Sequence, residues 1–265
     1  MSAELVNYHH ELEVATQIAQ TSGDIMLRYF DGDQQKEIKT DGSPVTVADT
    51  AINDLVIREL AKAFPNDGVV GEEASTDNIS QERLWFCDPI DGTKGYVWGV
   101  PTAMFSLGLV VGHEPVMGVA YDPFLNRLYT GIVGEGSFCN SNRLHVTDET
   151  LSLGTVAVTS SVKQLVQSPS RVVRKLVEQD VQLATFSGAV YKSTLVASGK
   201  LVAYIEDGVN PHDMAAVQVI VSEAGGKITA IDGSSLDYRQ PFKGALVSNA
   251  LVHDELIGMA KGADT

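Results

Sequence analysis

The chain has 265 residues, 44% of them hydrophobic, with 34 acidic against 19 basic side chains and a formal net charge of −15. That length and apolar content suffice to bury a sizeable core in one large domain or two packed lobes. The negative balance weighs against nucleic-acid backbones and anionic membranes as partners.

Taken in chain order, Leu5, Leu12, Ala15, Ala19, Ile25, Met26 and Tyr29 approximate one helical face and predict a long amphipathic helix from about 4 to 29. A second helix is predicted after Pro44, from about Thr46 to Phe64, with Ile52, Leu55, Val56, Leu60 and Ala63 inward, ended by Pro65-Asn66-Asp67-Gly68. Short apolar runs then alternate with turns: Val69 to Gly71, Leu84 to Cys87, Phe105 to Val111, Val116 to Tyr121 and Leu128 to Val133. Gly112-His113-Glu114-Pro115 reads as a hairpin connection, so a mostly antiparallel sheet is expected. From about 155 the pattern becomes strand (155–159), helix (162–178), strand (181–186), helix (188–199), strand (201–205), helix (213–224) and strand (227–231), which predicts an α/β lobe. Neither a linker nor a repeat separates the lobes, so 1–150 and 151–265 are expected to form one unit.

No run approaches the ~18 apolar residues of a membrane span, and the first residues carry neither the basic nor the apolar region of a secretion signal. Cys87 and Cys139 lack metal-type spacing and read as buried apolar side chains in a reducing compartment. A cytoplasmic setting follows as the expectation.

The chemistry concentrates where strands end. Val69-Val70-Gly71-Glu72-Glu73 and Trp85-Phe86-Cys87-Asp88 each run an apolar segment into acids, and if those strands are neighbours their carboxylates meet at one edge. Like charges gathered in a cleft repel unless cations sit between them. In Asp88-Pro89-Ile90-Asp91, proline holds Asp88 extended so that Asp88, the Ile90 carbonyl and Asp91 can converge as hard oxygen ligands for Mg²⁺. Gly92-Thr93 follows where a helical turn could begin, offering backbone N–H groups to a phosphate. Asp-Pro and Asp-Gly are also ordinary turn chemistry, and the reading depends on the motifs around them.

Those motifs resemble a known family. GEE at 71–73, WFCDPIDGTKGY at 85–96 and PHDMAAVQVIVSEAGG at 211–226 are similar, in order and spacing, to three signatures of the inositol monophosphatase family of Mg²⁺-dependent, lithium-sensitive phosphatases. KTDGSPVTVAD at 39–49 is similar to that family's amino-terminal lysine-to-aspartate segment. The resemblance implies a layered αβαβα sandwich, a small phosphorylated substrate, two or three Mg²⁺ ions and a homodimer. It places Glu72, Asp88 and the Ile90 carbonyl on a first metal and Asp88, Asp91 and Asp213 on a second. A weaker third lies near Glu72 and, through waters, Asp49. Phosphate falls to the Gly92 and Thr93 amides, and Asp49 and Thr93, with Glu72, are the catalytic candidates that position or activate the attacking water. Lys39 is either part of the site or a solvated loop charge. Asp213 read alone is also a first-turn helix acid, and Asp49 a helix-surface one. Glu73 reads as a neighbour of the site or a surface acid.

The leaving-group side is implied to include Ser187, Gly188, Ala189 and Glu206, with His212 where the family commonly has tryptophan. His212 is expected to line the pocket, because hard Mg²⁺ favours oxygen. Glu206 is either the carboxylate that receives an inositol hydroxyl, which would equally serve as counter-ion to the ammonium of an amino alcohol, or an acidic turn after a strand. The order of substrates is inositol monophosphate, then histidinol phosphate, then a nucleotide 3′-phosphate. A catalytically silent polyol-phosphate binding module is the reading from outside the enzymes, disfavoured by retention of the whole acid set.

Overall fold

A computed structural model of the chain describes residues 7–30, 32, 37–38, 44–159, 161–167 and 170–262. Lys39, with the rest of 39–43, and the first residues of the predicted amino-terminal helix lie outside them. The first half contains helix α1 (His9–Phe30), the strand pair β1 (Glu37–Ile38) and β2 (Pro44–Val45), helix α2 (Val47–Ala63), strands β3 (Gly68–Gly71) and β4 (Arg83–Asp91), and helix α3 (Thr93–Val97). Strands β5 (Met104–Val111), β6 (Glu114–Asp122), β7 (Arg127–Ile132), β8 (Gly136–Cys139) and β9 (Asn142–Arg143) follow. The second half contains β10 (Thr155–Val158), α4 (Val162–Gln167), α5 (Arg171–Glu178), β11 (Gln182–Thr185), α6 (Ala189–Ala197) and β12 (Ala203–Glu206). It closes with α7 (Pro211–Glu223), β13 (Lys227–Thr229), β14 (Ala245–Ser248) and α8 (His253–Lys261).

Strands β3 to β9 form a seven-stranded sheet in sequence order, parallel at β3–β4 and antiparallel elsewhere. Because side chains alternate across a strand, β4 serves two cores at once. Trp85 and Cys87 face Ile18, Met26, Ile52 and Val56 of α1 and α2. Leu84 and Phe86 face Met214, Val217 and Ile220 of α7. The second sheet has the order β11-β10-β12-β14-β13, with β14 antiparallel to both neighbours. Its outer face buries Val156, Val158 and Leu246 against Val172 and Leu176 of α5 and Leu256 of α8. The layers therefore run α, β, α, β, α.

Helix α7 lies close on the first sheet because glycines clear its path. Gly108 pairs with Gly118, and Gly118 with Gly131, across β5, β6 and β7. A Cβ on Gly108 would lie 2.6 Å from the Ala216 amide nitrogen, and one on Gly118 2.2 Å from the Ala216 carbonyl oxygen. The stripe is a groove for the helix.

Several boundaries depart from the sequence reading. The helix expected over 162–178 is two helices, α4 and α5, with Pro169 in the sequence between them. Strand β4 runs on through Asp91 where a turn was expected after Cys87, and the hairpin after β5 needs only Gly112-His113, since β6 starts at Glu114. Strands β8, β9 and β14 and helix α8 were not read from sequence. Cys87 is buried as expected, but Cys139 is only partly so. Among the described residues no helix is long and apolar enough to cross a membrane.

Candidate active site

Strand pairing brings the acids together. β3 runs parallel to β4 with Gly71 opposite Cys87, and the Glu72 N–H donates to the Cys87 carbonyl at 3.0 Å, so Glu72 and Asp88 leave the same sheet edge side by side. Asp88 pairs with Ser106 but Asp91 with Met104, so three steps on β4 match two on β5. Residues three apart on a regular strand point to opposite faces. The extra residue is a bulge, where proline is tolerated, and it returns Asp91 to the face of Asp88. Asp88 also accepts the Ile90 N–H at 3.0 Å.

Two further acids come from helix starts. Asp49 accepts from the Thr46 N–H (2.8 Å) and hydroxyl (2.5 Å), and Asp213 accepts from the Asn210 N–H (2.6 Å). Each is the third helical residue of a capping box, in α2 and α7 respectively. Such boxes satisfy amides that a helix leaves unpaired. Asp49 is fully buried, and among the described residues its Oδ1 has no hydrogen-bond partner, the signature of an atom suited to a cation or water.

Asp91 does its capping at a distance. Its Oδ1 accepts from the Ala189 N–H at 2.8 Å and its Oδ2 from the Val190 N–H at 2.9 Å, which fixes it at the first turn of α6. Gly92 (φ +85°) and Gly188 (φ +94°) pack against one another there: a Cβ on Gly92 would lie 3.2 Å from the Gly188 Cα, and one on Gly188 2.8 Å from the Asp91 carboxylate. Ser187 Oγ donates to the Gly92 carbonyl at 3.4 Å. The Thr93 hydroxyl donates to the Ile90 carbonyl at 3.0 Å, which leaves its oxygen lone pairs to accept.

The result is a dense anionic site. One oxygen each from Asp88, Asp91 and Asp213 lie within 4.8 Å of one another, and the same holds for one ligand atom each from Glu72, Asp88 and His212. Burial, then repulsion from Glu72, Asp91, Asp213 and Asp49, pushes Asp88 well above the usual carboxylate range. Burial raises Asp49 to about 7 against the pull of its bonds from Thr46. Burial and repulsion from Asp213 take Asp91 to about 7 despite its helical N–H donors, and burial raises Asp213 as well. Carboxylates so placed fit a hard divalent cation, whose charge removes the repulsion. His212 Nε2 lies 3.7 Å from Asp213 Oδ1 and adds a nitrogen to an otherwise oxygen-rich set.

Glu206 ends β12. Its Oε2 accepts from Lys192 Nζ and from the Tyr204 hydroxyl, each at 3.1 Å, so it is neither a bare acidic turn nor an isolated carboxylate. Lys192 was not singled out from sequence. Neither were Thr46 and Asn210, although Thr46-x-x-Asp49 and Asn210-x-x-Asp213 carry the capping-box spacing.

The inositol monophosphatase family model matches residues 7–261 of the chain. Inositol monophosphatase 1 of Solanum lycopersicum is 32% identical over 235 residues, 85% of this chain and 86% of that protein. A histidinol-phosphatase of Chlorobaculum parvum is also 32% identical, over 85% of this chain and 90% of its own. Among solved structures, an inositol monophosphatase from Anabaena superposes with a TM-score of 0.83 at 27% identity, covering 97% of both chains.

Proposed function

The chain belongs to the inositol monophosphatase family and is a phosphoric monoester hydrolase, and from that premise we propose that its substrate is an inositol monophosphate. The observation that carries the choice is the setting of Glu206. Paired with Lys192, it has no net charge to offer an ammonium, yet a carboxylate with two donors retains lone pairs for a substrate hydroxyl. A polyol leaving group fits that environment better than an amino alcohol. Histidinol phosphate is the second reading, supported by the equal identity to a relative of that name, and a nucleotide 3′-phosphate the third.

In this reading Glu72, Asp88 and the Ile90 carbonyl hold one Mg²⁺ and Asp88, Asp91 and Asp213 another, with a weaker third near Glu72 and Asp49. Bound there, Mg²⁺ would neutralise the phosphoryl oxygens, lower the pKa of water and steady the leaving alkoxide. The protein's own groups do the positioning. Thr93, its proton committed to the Ile90 carbonyl, accepts from the attacking water, and Asp49 offers Oδ1 to the same water because Thr46 fixes Oδ2. The Gly92 and Thr93 amides orient the phosphate. His212 and Ser187-Gly188-Ala189 border the leaving group. Lys39 stays a candidate on its sequence position alone. A single unit of two lobes, 1–150 and 151–265, inhibition by lithium, a homodimer and a cytoplasmic setting complete the proposal.

The test is phosphate release with Mg²⁺ across inositol 1-phosphate, histidinol phosphate, 3′-phosphoadenosine 5′-phosphate and glycerol 2-phosphate. An advantage of about a hundredfold in kcat/KM for inositol 1-phosphate, ~2.7 kcal/mol of transition-state discrimination, supports it. A comparable advantage for histidinol phosphate replaces it.

A further inference from the structure

We propose that Lys192 sets the charge a leaving group must carry, biasing the pocket toward a neutral hydroxyl and against an ammonium; this deepens the inositol-phosphate reading and rests on it. Lys192 lies in the first turn of α6, the helix whose opening N–H groups hold Asp91, and its side chain is only 2% exposed. A lysine is rarely buried to that degree unless paired. Its Nζ donates to Glu206 Oε2 at 3.1 Å and stands 4.3 Å from the centre of the Tyr204 ring, while the Tyr204 hydroxyl donates to the same Oε2. Two donors, one from a helix and one from a strand, thus fix one carboxylate. Strand β12 has its own ladders to β10 and β14, so the pair is not what holds the strand in the sheet.

The cluster is joined to the site through α6, whose opening N–H groups hold Asp91 and whose first turn also carries Lys192. With Lys192 in place, lysine and Glu206 sum to zero. A hydroxyl can still donate to Glu206, whereas an incoming ammonium meets a cation a hydrogen bond's length behind its acceptor. Without Lys192, Glu206 would keep only the neutral Tyr204 hydroxyl as donor and would be a buried anion without a cation, which favours an incoming ammonium. Selectivity here comes from a repulsive element as much as from an attractive one.

The readout is the ratio of kcat/KM for histidinol phosphate to that for inositol 1-phosphate, with Mg²⁺ at neutral pH. The ratio is expected to rise at least about tenfold in Lys192→Met, mainly through KM, to fall in Glu206→Gln, and to return to within about threefold of wild type in the double variant. Lys192→Arg should keep the wild-type ratio. A merely structural role would lower both rates together and leave the ratio alone. An unmoved ratio in folded Lys192→Met overturns the proposal; if that variant does not fold, an unmoved ratio in Glu206→Gln overturns it. A wild-type preference for histidinol phosphate would instead remove the inositol reading, leaving the bias of Lys192 to be judged by the variants' shift.

Discussion

Asp91 accepts the Ala189 N–H at 2.8 Å across 98 residues of sequence. One carboxylate therefore belongs to the acid cluster and also closes the start of α6. Asp91→Ala leaves the Ala189 and Val190 N–H groups without their acceptor, and each buried donor so orphaned costs about 1–3 kcal/mol. Relief of the repulsion with Asp213 offsets part of this. Urea unfolding in chelator should show a net loss of about 1–2 kcal/mol, with phosphate release abolished; unchanged stability would mean the bonds to α6 are dispensable.

Asp88 should behave oppositely. It is crowded by Glu72, Asp91, Asp213 and Asp49, and its one local bond from Ile90 can be accepted by an asparagine oxygen. Removing its charge relieves a buried repulsion, so metal-free Asp88→Asn should be more stable than metal-free wild type by about 1–2 kcal/mol. Added Mg²⁺ should raise the melting temperature of wild type and not of the variant. A variant less stable in chelator would contradict the account.

For Thr93, the hydroxyl's bond to the Ile90 carbonyl separates two roles. If its oxygen accepts from the attacking water, Thr93→Ala lowers kcat by roughly a hundredfold with little change in KM, and Thr93→Ser restores most of it. A raised KM at normal kcat would assign the residue to ground-state binding.

Gly118→Ala places a methyl against the Ala216 backbone at a separation no relaxation of a side chain can relieve. Overpacking of this kind costs about 1–3 kcal/mol or more, and the displaced helix carries Asp213, so turnover should fall too. Gly258→Ala is the control. It sits within α8 with nothing near its Cβ position, and should stabilise by about 0.5–1 kcal/mol. Equal effects at the two sites would refute the groove.

His253 gives the pH dependence. It is 1% exposed, with Nδ1 2.8 Å from Ser248 Oγ and Nε2 3.0 Å from Thr229 Oγ1; burial, with a smaller push from Lys227, lowers it from 6.5 to about 4. Between these values the unfolded chain binds the proton and the folded one does not. Its contribution is complete above about pH 6.5 and is lost as pH falls toward 4, by about 3 kcal/mol. The slope of urea midpoint against pH over this window should shrink in His253→Gln.

Legibility from sequence followed the range of the interactions. The nearness of Asp88 and Asp91 was readable because they are neighbours in sequence, and the Glu72–Asp88 meeting because both acids end apolar runs that pair as the reading supposed. The bulge was not readable, since it depends on register with β5. Lys192 and Glu206 are likewise joined only by how α6 crosses β12. Strand β14 is a short apolar run buried on both faces, which periodicity cannot distinguish from a piece of helix. The break between α4 and α5 had a signal in Pro169 that the period of the surrounding valines and leucines overrode.

The capping boxes at Asp49 and Asp213 bear on how the acids are held. Each carboxylate is oriented by the amide at its helix start, so its aim is a by-product of starting two helices. In the proposed mechanism ion binding would then need little refolding, and an ion that left would not take the architecture with it. The site would, in that mechanism, keep its shape between turnovers, and its crowded carboxylates would attract the next cation.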